Sequence, residues 1–200
     1  MLGAQMFVLI EHPDEISMKI SGPRGEVMLQ EAVYRPLIEA MAEDNYAPKT
    51  LGQLAGHAKL ASLQHAQLLQ ALLVLVGSNH ARPAQEIADK ARQRCAALNR
   101  YICEQARSEG HILVLVSPLT GCGIAVGRAE QLFLLAARHG KKTASEKAAY
   151  VWEILSAQGQ NLMKDGKMLE TAAENIAELT QIATKFVDKR VPILAALGIV

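Results

Sequence analysis

The chain is poor in aromatic residues: Phe, Trp and Tyr together make up 4% of its 200 residues. A core must therefore rest on Leu, Ala, Val, Ile and Met. Hydrophobic residues still reach 50%, so there is ample material to bury one. Ala and Leu are strong helix formers, which leans the chain toward helix. Charge of one sign is also lacking, with 21 Lys plus Arg against 20 Asp plus Glu. A net charge of +1 gives no global attraction to nucleic acid or to an anionic membrane surface, and leaves only a local basic patch open. Cysteine is scarce and unpaired in pattern. Cys95, Cys103 and Cys122 are odd in number and form no C-x-x-C, so they read as reduced thiols in or near the core. Long apolar runs are missing as well. Met6 to Ile10 is too short for a signal core, and the stretch around Ala71 to Val76 falls far short of a membrane span. The expectation is a soluble, cytoplasmic protein without membrane contact.

Signatures of catalysis are equally thin. The six histidines, His12, His57, His65, His80, His111 and His139, form neither H-x-x-x-H nor H-E-x-x-H, so no zinc site is expected. There is no G-x-S-x-G elbow, and Ser117 precedes Pro118 without an evident base. Glu11, Asp14 and Glu15 cluster in one short stretch that reads as solvated loop charge.

What is present is helical periodicity after a short β-rich start. Met6 to Ile10 reads as a strand, Ile16 to Ile20 alternates like a half-buried strand, and Val27 to Leu29 pairs back across a Ser21–Gly25 turn. Val33, Tyr34, Leu37, Ile38 and Met41 form one helical stripe, in which Pro36 predicts a start near Arg35 or a kink. Thr50-Leu51-Gly52-Gln53 has capping-box form, and Ser62 is positioned to cap a helix through Val76. Three helices followed by an extended tail over His80–Pro83 resemble a winged helix-turn-helix. Ala84 to Ser108 reads as a long helix, Ile112 to Val116 as a strand, Ser117 to Gly123 as a loop, and Val126 to His139 as a helix capped by Gly140. Thr143-Ala144-Ser145-Glu146 and Thr171-Ala172-Ala173-Glu174 are capping boxes of two further helices, separated by a tight turn at Lys164–Lys167. A last short helix is expected between Pro192 and Gly198. The fold class expected is mostly α with a small β component: a winged-helix-like part over residues 1–84 that includes a small hairpin, then a helical bundle over residues 85–200 with one short strand and a Gly-rich loop. No flexible linker separates the two, so they are expected to share an interface.

Two glycine motifs invite a cofactor reading. Gly121-x-Gly123-x-x-x-Gly127 lies between a strand and a helix, as in dinucleotide and S-adenosylmethionine folds. Its spacing is off, Pro118 interrupts the loop, and no following strand carries an acidic residue for a ribose. Gly140-Lys141-Lys142-Thr143 resembles the end of a phosphate loop but follows a helix and lacks the earlier glycine, so a helix C-cap running into an N-cap explains it. Nor does a nucleic-acid reader stand out. The helix over Leu63–Val76 carries no Lys or Arg, and its polar residues are Gln64, His65, Gln67 and Gln70. Lys90, Arg92, Arg94, Arg100 and Arg107 interleave with Asp89, Glu104 and Glu109 on the next helix and read as a solvated face.

The segments Gly22–Glu26, Leu69–Gly77, Val151–Leu155, Gln158–Gln160 and above all Ser117–Leu135 (SPLTGCGIAVGRAEQLFLL) resemble the bacterial methyltransferase regulatory proteins. The resemblance covers the chain from about Ile16 to Ile199. Long members of that group carry an N-terminal class I domain that binds S-adenosylmethionine (SAM), then a regulatory region, then a C-terminal region similar to this chain. Relatives within it include lysine methyltransferases acting on outer-membrane proteins. The resemblance implies a non-catalytic regulatory or substrate-recognition module of a SAM-dependent methyltransferase. Its partners would be a catalytic domain, in cis or in trans, and a protein substrate. The departure is that no acidic-x-Gly-x-Gly-x-Gly follows a strand near residue 1. SAM is therefore expected only in the associated catalytic domain, and this chain is expected to carry no catalytic, cofactor or metal residue of its own. The residues left as a candidate interaction loop are Ser117, Pro118, Thr120, Gly121, Gly123, Gly127, Arg128 and Glu130. Two other readings compete. One is a winged-helix DNA-binding regulator. The other is a small-molecule enzyme built on the Ser117–Gly127 loop with His111, Arg128 and Glu130.

Overall fold

The computed structural model describes residues 4–22 and 25–200. They are mostly α with a small β component. The chain forms two compact units. One takes in the chain through Ala88 together with Ser117–Cys122 and Pro192–Gly198; the other takes in Asp89–Val116, Gly123–Val191 and Ile199–Val200.

The first unit runs β1 (Met6–Leu9), β2 (Lys19–Gly22), β3 (Gly25–Met28), α1 (Glu31–Tyr46), β4 (Lys49–Thr50), α2 (Leu51–Ala55), α3 (His65–Gly77) and β5 (Ala81–Ala84). Phe7, Val8, Leu9 and Ile10 are all buried. An unbroken apolar run suits a strand covered on both faces. Accordingly β1 is the middle strand of the order β4-β1-β5, antiparallel to both neighbours, with Phe7 opposite Lys49 and Pro83. From α1 to β5 the order is helix–strand–helix–helix–strand, the succession of elements on which the winged-helix expectation rests. The sheet of this unit, however, is completed by the N-terminal β1, and β5 leads into a helix and not into a wing hairpin. β2 and β3 form a separate two-stranded hairpin. The middle of its expected turn, Pro23-Arg24, lies outside the described residues, as does Met1–Gly3.

Two local expectations shift. The helix α1 begins at Glu31, ahead of Arg35, and carries Pro36 in its second turn. Its break falls later, where Asp44, Asn45 and Tyr46 take left-handed φ values of 57°, 53° and 62°. There the Lys49 ammonium donates to the Glu43 carbonyl at 2.7 Å. The helix α3 begins at His65, one turn after Ser62, and is capped at Gln64, whose N–H donates to the Gln67 side chain at 3.1 Å. The capping box at Thr50 forms as its spacing predicts: Thr50 Oγ1 accepts from Gln53 N–H at 3.1 Å and Gln53 Oε1 from Thr50 N–H at 2.7 Å. The core of this unit is aliphatic, with Leu9, Leu37, Ile38, Leu54, Leu68, Leu72 and Leu75 among its fully buried side chains.

The rest of the chain runs α4 (Asp89–Gln105), β6 (Val114–Ser117), β7 (Cys122–Ala125), α5 (Arg128–Arg138), α6 (Ala144–Ala157), β8 (Met163–Lys164), β9 (Lys167–Met168), α7 (Ala172–Lys185) and α8 (Val191–Ala196). The first of these helices starts at Asp89, because Ala84 is held as the last residue of β5, paired with Met6. Both expected capping boxes form, with Thr143 and Thr171 accepting from the N–H groups of Glu146 and Glu174. Gly140, at φ +79°, ends α5. The tight turn at Lys164–Lys167 is the tip of the β8–β9 hairpin, with left-handed Asp165 and Gly166 at its centre. The last helix is not free-standing. A π turn over Phe186–Arg190 joins α7 to α8 without a loop. In the second unit α5, α6 and α7 bury Leu132, Phe133, Leu135, Val151 and Leu179, and the Phe133 and Phe186 rings approach to 5.7 Å.

Candidate functional site

The Ser117–Glu130 segment is not an open loop. It is the turn and second strand of the β6–β7 hairpin followed by the first turn of α5. Gly121 N–H donates to the Ser117 carbonyl at 3.0 Å, and Gly121 itself sits at φ +66°, which explains a glycine there. Ser117 is fully buried. Its hydroxyl donates to the Leu197 carbonyl at 2.7 Å and accepts from Thr120 N–H at 3.2 Å. Pro118 packs so closely on Gly198 that a Cβ on the glycine would lie 3.0 Å from Pro118 Cγ. The Thr120 hydroxyl contacts Cys122 Sγ at 3.2 Å. Gly123 faces Val114 across the hairpin at ordinary contact distance.

The helical end of the segment is equally engaged. Gly127 is the N-cap of α5, and its N–H donates to the Glu130 carboxylate at 2.8 Å. Arg190 stands 3.9 Å from the other Glu130 oxygen and donates to the Ala125 carbonyl at 2.7 Å. The Arg128 guanidinium donates to the Ala106 carbonyl at 2.8 Å and to the side-chain oxygens of Gln158 and Gln160, each at 2.7 Å. Gly110 allows this approach, since a Cβ there would lie 2.8 Å from Arg128 Cδ. The neighbouring Gln131 amide donates to the Ile112 and Val126 carbonyls. His111 is exposed and pairs with Glu109 at 3.3 Å. Ser117, Arg128 and Glu130 thus brace backbone, joining the hairpin turn to Leu197 and the start of α5 to the ends of α4 and α6, whereas His111 stands in solvent.

Elsewhere the titratable groups pair with near neighbours, Lys59 bridging Glu39 and Glu43 at 3.2 and 3.0 Å. His57 bonds Glu43 at 2.9 Å, His80 bonds Glu11 at 2.7 Å, and His139 stacks on Tyr150 with ring centroids 5.5 Å apart. Burial pushes the Cys103 thiol up, away from thiolate chemistry. Among the described residues no group of three or more His, Cys, Asp or Glu is placed to hold a metal ion, and no helix is long and apolar enough to cross a membrane. The exposed face of α3 presents His65, Gln67, Gln70 and Leu73 and no cation. Lys90, Arg92, Arg94 and Arg100 are all exposed on α4.

A concave site does exist, in a place the sequence does not mark. In the first unit β3, α1 and α3 enclose a cavity of about 350 Å³. Its walls are Val27, Met28, Val33 and Ala71, and its polar lining includes Tyr34, Gln67 and Gln70. These residues come from three elements spread over more than forty positions, so no local motif announces them. The exposure of Val27 (61%) and Met28 (67%) was the one signal, and it appears only once the hairpin is seen to stand apart from the β4-β1-β5 sheet.

A protein of Synechocystis sp. described as uncharacterized is 40% identical to this chain over 200 residues. The match takes in 99% of this chain and 38% of the relative, so the chain spans well under half of the relative's length. No protein-family model and no solved structure matches the chain.

Proposed function

We propose that the chain is a non-catalytic regulatory or substrate-recognition module of a SAM-dependent methyltransferase, with a protein side chain as the methyl acceptor. The observation that carries the modular part of this reading is the match to a relative of which the sequence forms 38%, with a majority of other chain beside it. The methyltransferase part rests on the resemblance of Ser117–Leu135 and the other segments quoted above. The engagement of Ser117, Arg128 and Glu130 in backbone contacts supports a bracing role for that segment. The test is ultraviolet crosslinking of labelled SAM to the Synechocystis relative, followed by proteolytic mapping. Label is expected only outside the matched region, and none on the 200-residue chain alone. Label within the matched region, or no label anywhere on the relative, would overturn the proposal.

The order of α1, α2 and α3 with their small sheet favours a second reading, a winged-helix DNA-binding regulator. It ranks lower because the exposed face of α3 offers no Lys or Arg to phosphate. Fluorescence anisotropy with duplex DNA at low salt decides it: salt-dependent binding would restore this reading.

A further inference from the structure

We propose that the groove between β3 and helices α1 and α3 binds an uncharged, extended peptide segment, which adds to the free edge of β3 and inserts an apolar side chain into the cavity. The proposal deepens the reading of the chain as a recognition module. It rests on that reading only in taking the segment to belong to a partner protein.

The edge is the first observation. In the two-stranded β2–β3 hairpin, Lys19 pairs with Met28, Ile20 with Val27 and Ser21 with Glu26. The next pair outward is bonded, Leu29 N–H donating to the Met18 carbonyl at 2.7 Å. Antiparallel ladders alternate bonded and non-bonded pairs. The backbone N–H and C=O groups of Glu26 and Met28 therefore point away from β2, and no described strand pairs with them. An unpaired edge of this kind is what an added peptide strand completes.

The cavity is the second. It opens beside that edge and is floored by Val33 and Ala71, with Val27 and Met28 standing largely exposed at its lip. Val27 and Met28, successive residues of β3, point to opposite faces of the hairpin, each more than half exposed, and a strand added along this edge covers part of both. Its volume of about 350 Å³ takes one or two side chains.

The polar lining is the third, and it selects the chemistry. No residue lining the cavity is charged. The one charge on β3, Glu26, is neutralised by Lys19. A charged occupant would lose water without gaining a counter-ion. The Tyr34 hydroxyl and the side-chain amides of Gln30 and Gln70 have no partner among the described residues, and an amide offers both a donor and an acceptor, as a peptide group requires.

The test is selection of short random peptides displayed on phage against the whole chain, then anisotropy with the winning peptide. Enriched sequences should be uncharged over the bound stretch. Binding should slow hydrogen exchange at the Glu26 and Met28 amides. Gln70→Trp, which fills the groove from an exposed position, and Met28→Pro, which removes the outward N–H without touching the ladder, should each weaken binding about tenfold or more. Circular dichroism checks that each variant is folded, and the two changes lie on different elements. The proposal falls if no peptide is enriched, if enriched peptides are charged, or if neither folded variant weakens binding. It also falls if the chain self-associates through this face and Gln70→Trp abolishes that, since a second copy would then be the occupant. The crosslinking outcome is read separately: SAM bound within this chain would end the module reading while leaving a selected peptide and its edge protection standing.

Discussion

Ser117 shows what a single buried hydroxyl does in this fold. It bonds Leu197 on one side and Thr120 on the other, eighty residues apart in one case and three in the other. Removing it leaves a buried carbonyl and an N–H without partners. Ser117→Ala is therefore expected to destabilise the protein by about 1–3 kcal/mol, measured by urea unfolding. A hydroxyl held ready for chemistry would give the opposite signature, lost activity with unchanged stability. The role of Arg128 is comparable. In the sequence Arg128 stands as a candidate interaction-loop residue directly after the Gly121-x-Gly123-x-x-x-Gly127 motif. Its true partners, Ala106, Gln158 and Gln160, lie 22 to 32 residues away and no spacing rule connects them.

At the scale of elements, capping was the most legible feature. Thr50, Thr143 and Thr171 all cap where their S/T-x-x-E/Q pattern places them, because the box is a local circuit of two hydrogen bonds that needs no tertiary partner. Thr171→Ala should cost about 1 kcal/mol in the same unfolding assay. Two of these boxes also set a pH response. Backbone N–H groups of Thr143 and Lys142 hold the Glu146 carboxyl below its ordinary value of 4.5, and the N–H of Thr171 does the same for Glu174. The His57 side chain, with Lys59, lowers Glu43 at the left-handed end of α1. A carboxylate that titrates lower when folded contributes stability that is complete above its unfolded value and lost as pH falls through the folded one. Unfolding midpoints should therefore hold steady to about pH 5 and then drop, and a triple Glu43→Gln, Glu146→Gln, Glu174→Gln variant should show a shallower acid limb. Boundaries were less legible than caps. Ala84 and Ser62 have helix-compatible neighbours, but pairing with Met6 keeps Ala84 in a strand, and the turn over Ala58–Leu60 delays α3 to His65.

At the scale of the whole molecule, the chain does not divide at one point. Ser117–Cys122 and Pro192–Gly198 belong to the unit built by the first 88 residues. Ile193, Leu194 and Leu197 are fully buried, and burial of such side chains is worth about 1.5–3 kcal/mol each. Deleting residues 192–200 should therefore weaken the N-terminal unit, far away in sequence, before the helices it directly follows. Hydrogen exchange read by mass spectrometry checks this: protection should fall first in β1, α3 and β5. A loss confined to α7 would contradict the assignment of the tail to that unit.

The sequence by itself determined what depends on neighbours along the chain: the helical bias, the unbroken apolar run that became the central strand, the caps, and the turn glycines with left-handed backbone. Tertiary structure alone decided what depends on distant partners. It made a hairpin tip out of the Gly-rich loop, turned Ser117, Arg128 and Glu130 into braces, and placed Tyr34, Gln67 and Gln70 around one cavity. The physical reason is the same in each case. A cap or a stripe is set by geometry within a turn or two of helix, whereas a hydrogen bond across 80 residues exists only once both ends have been packed into place.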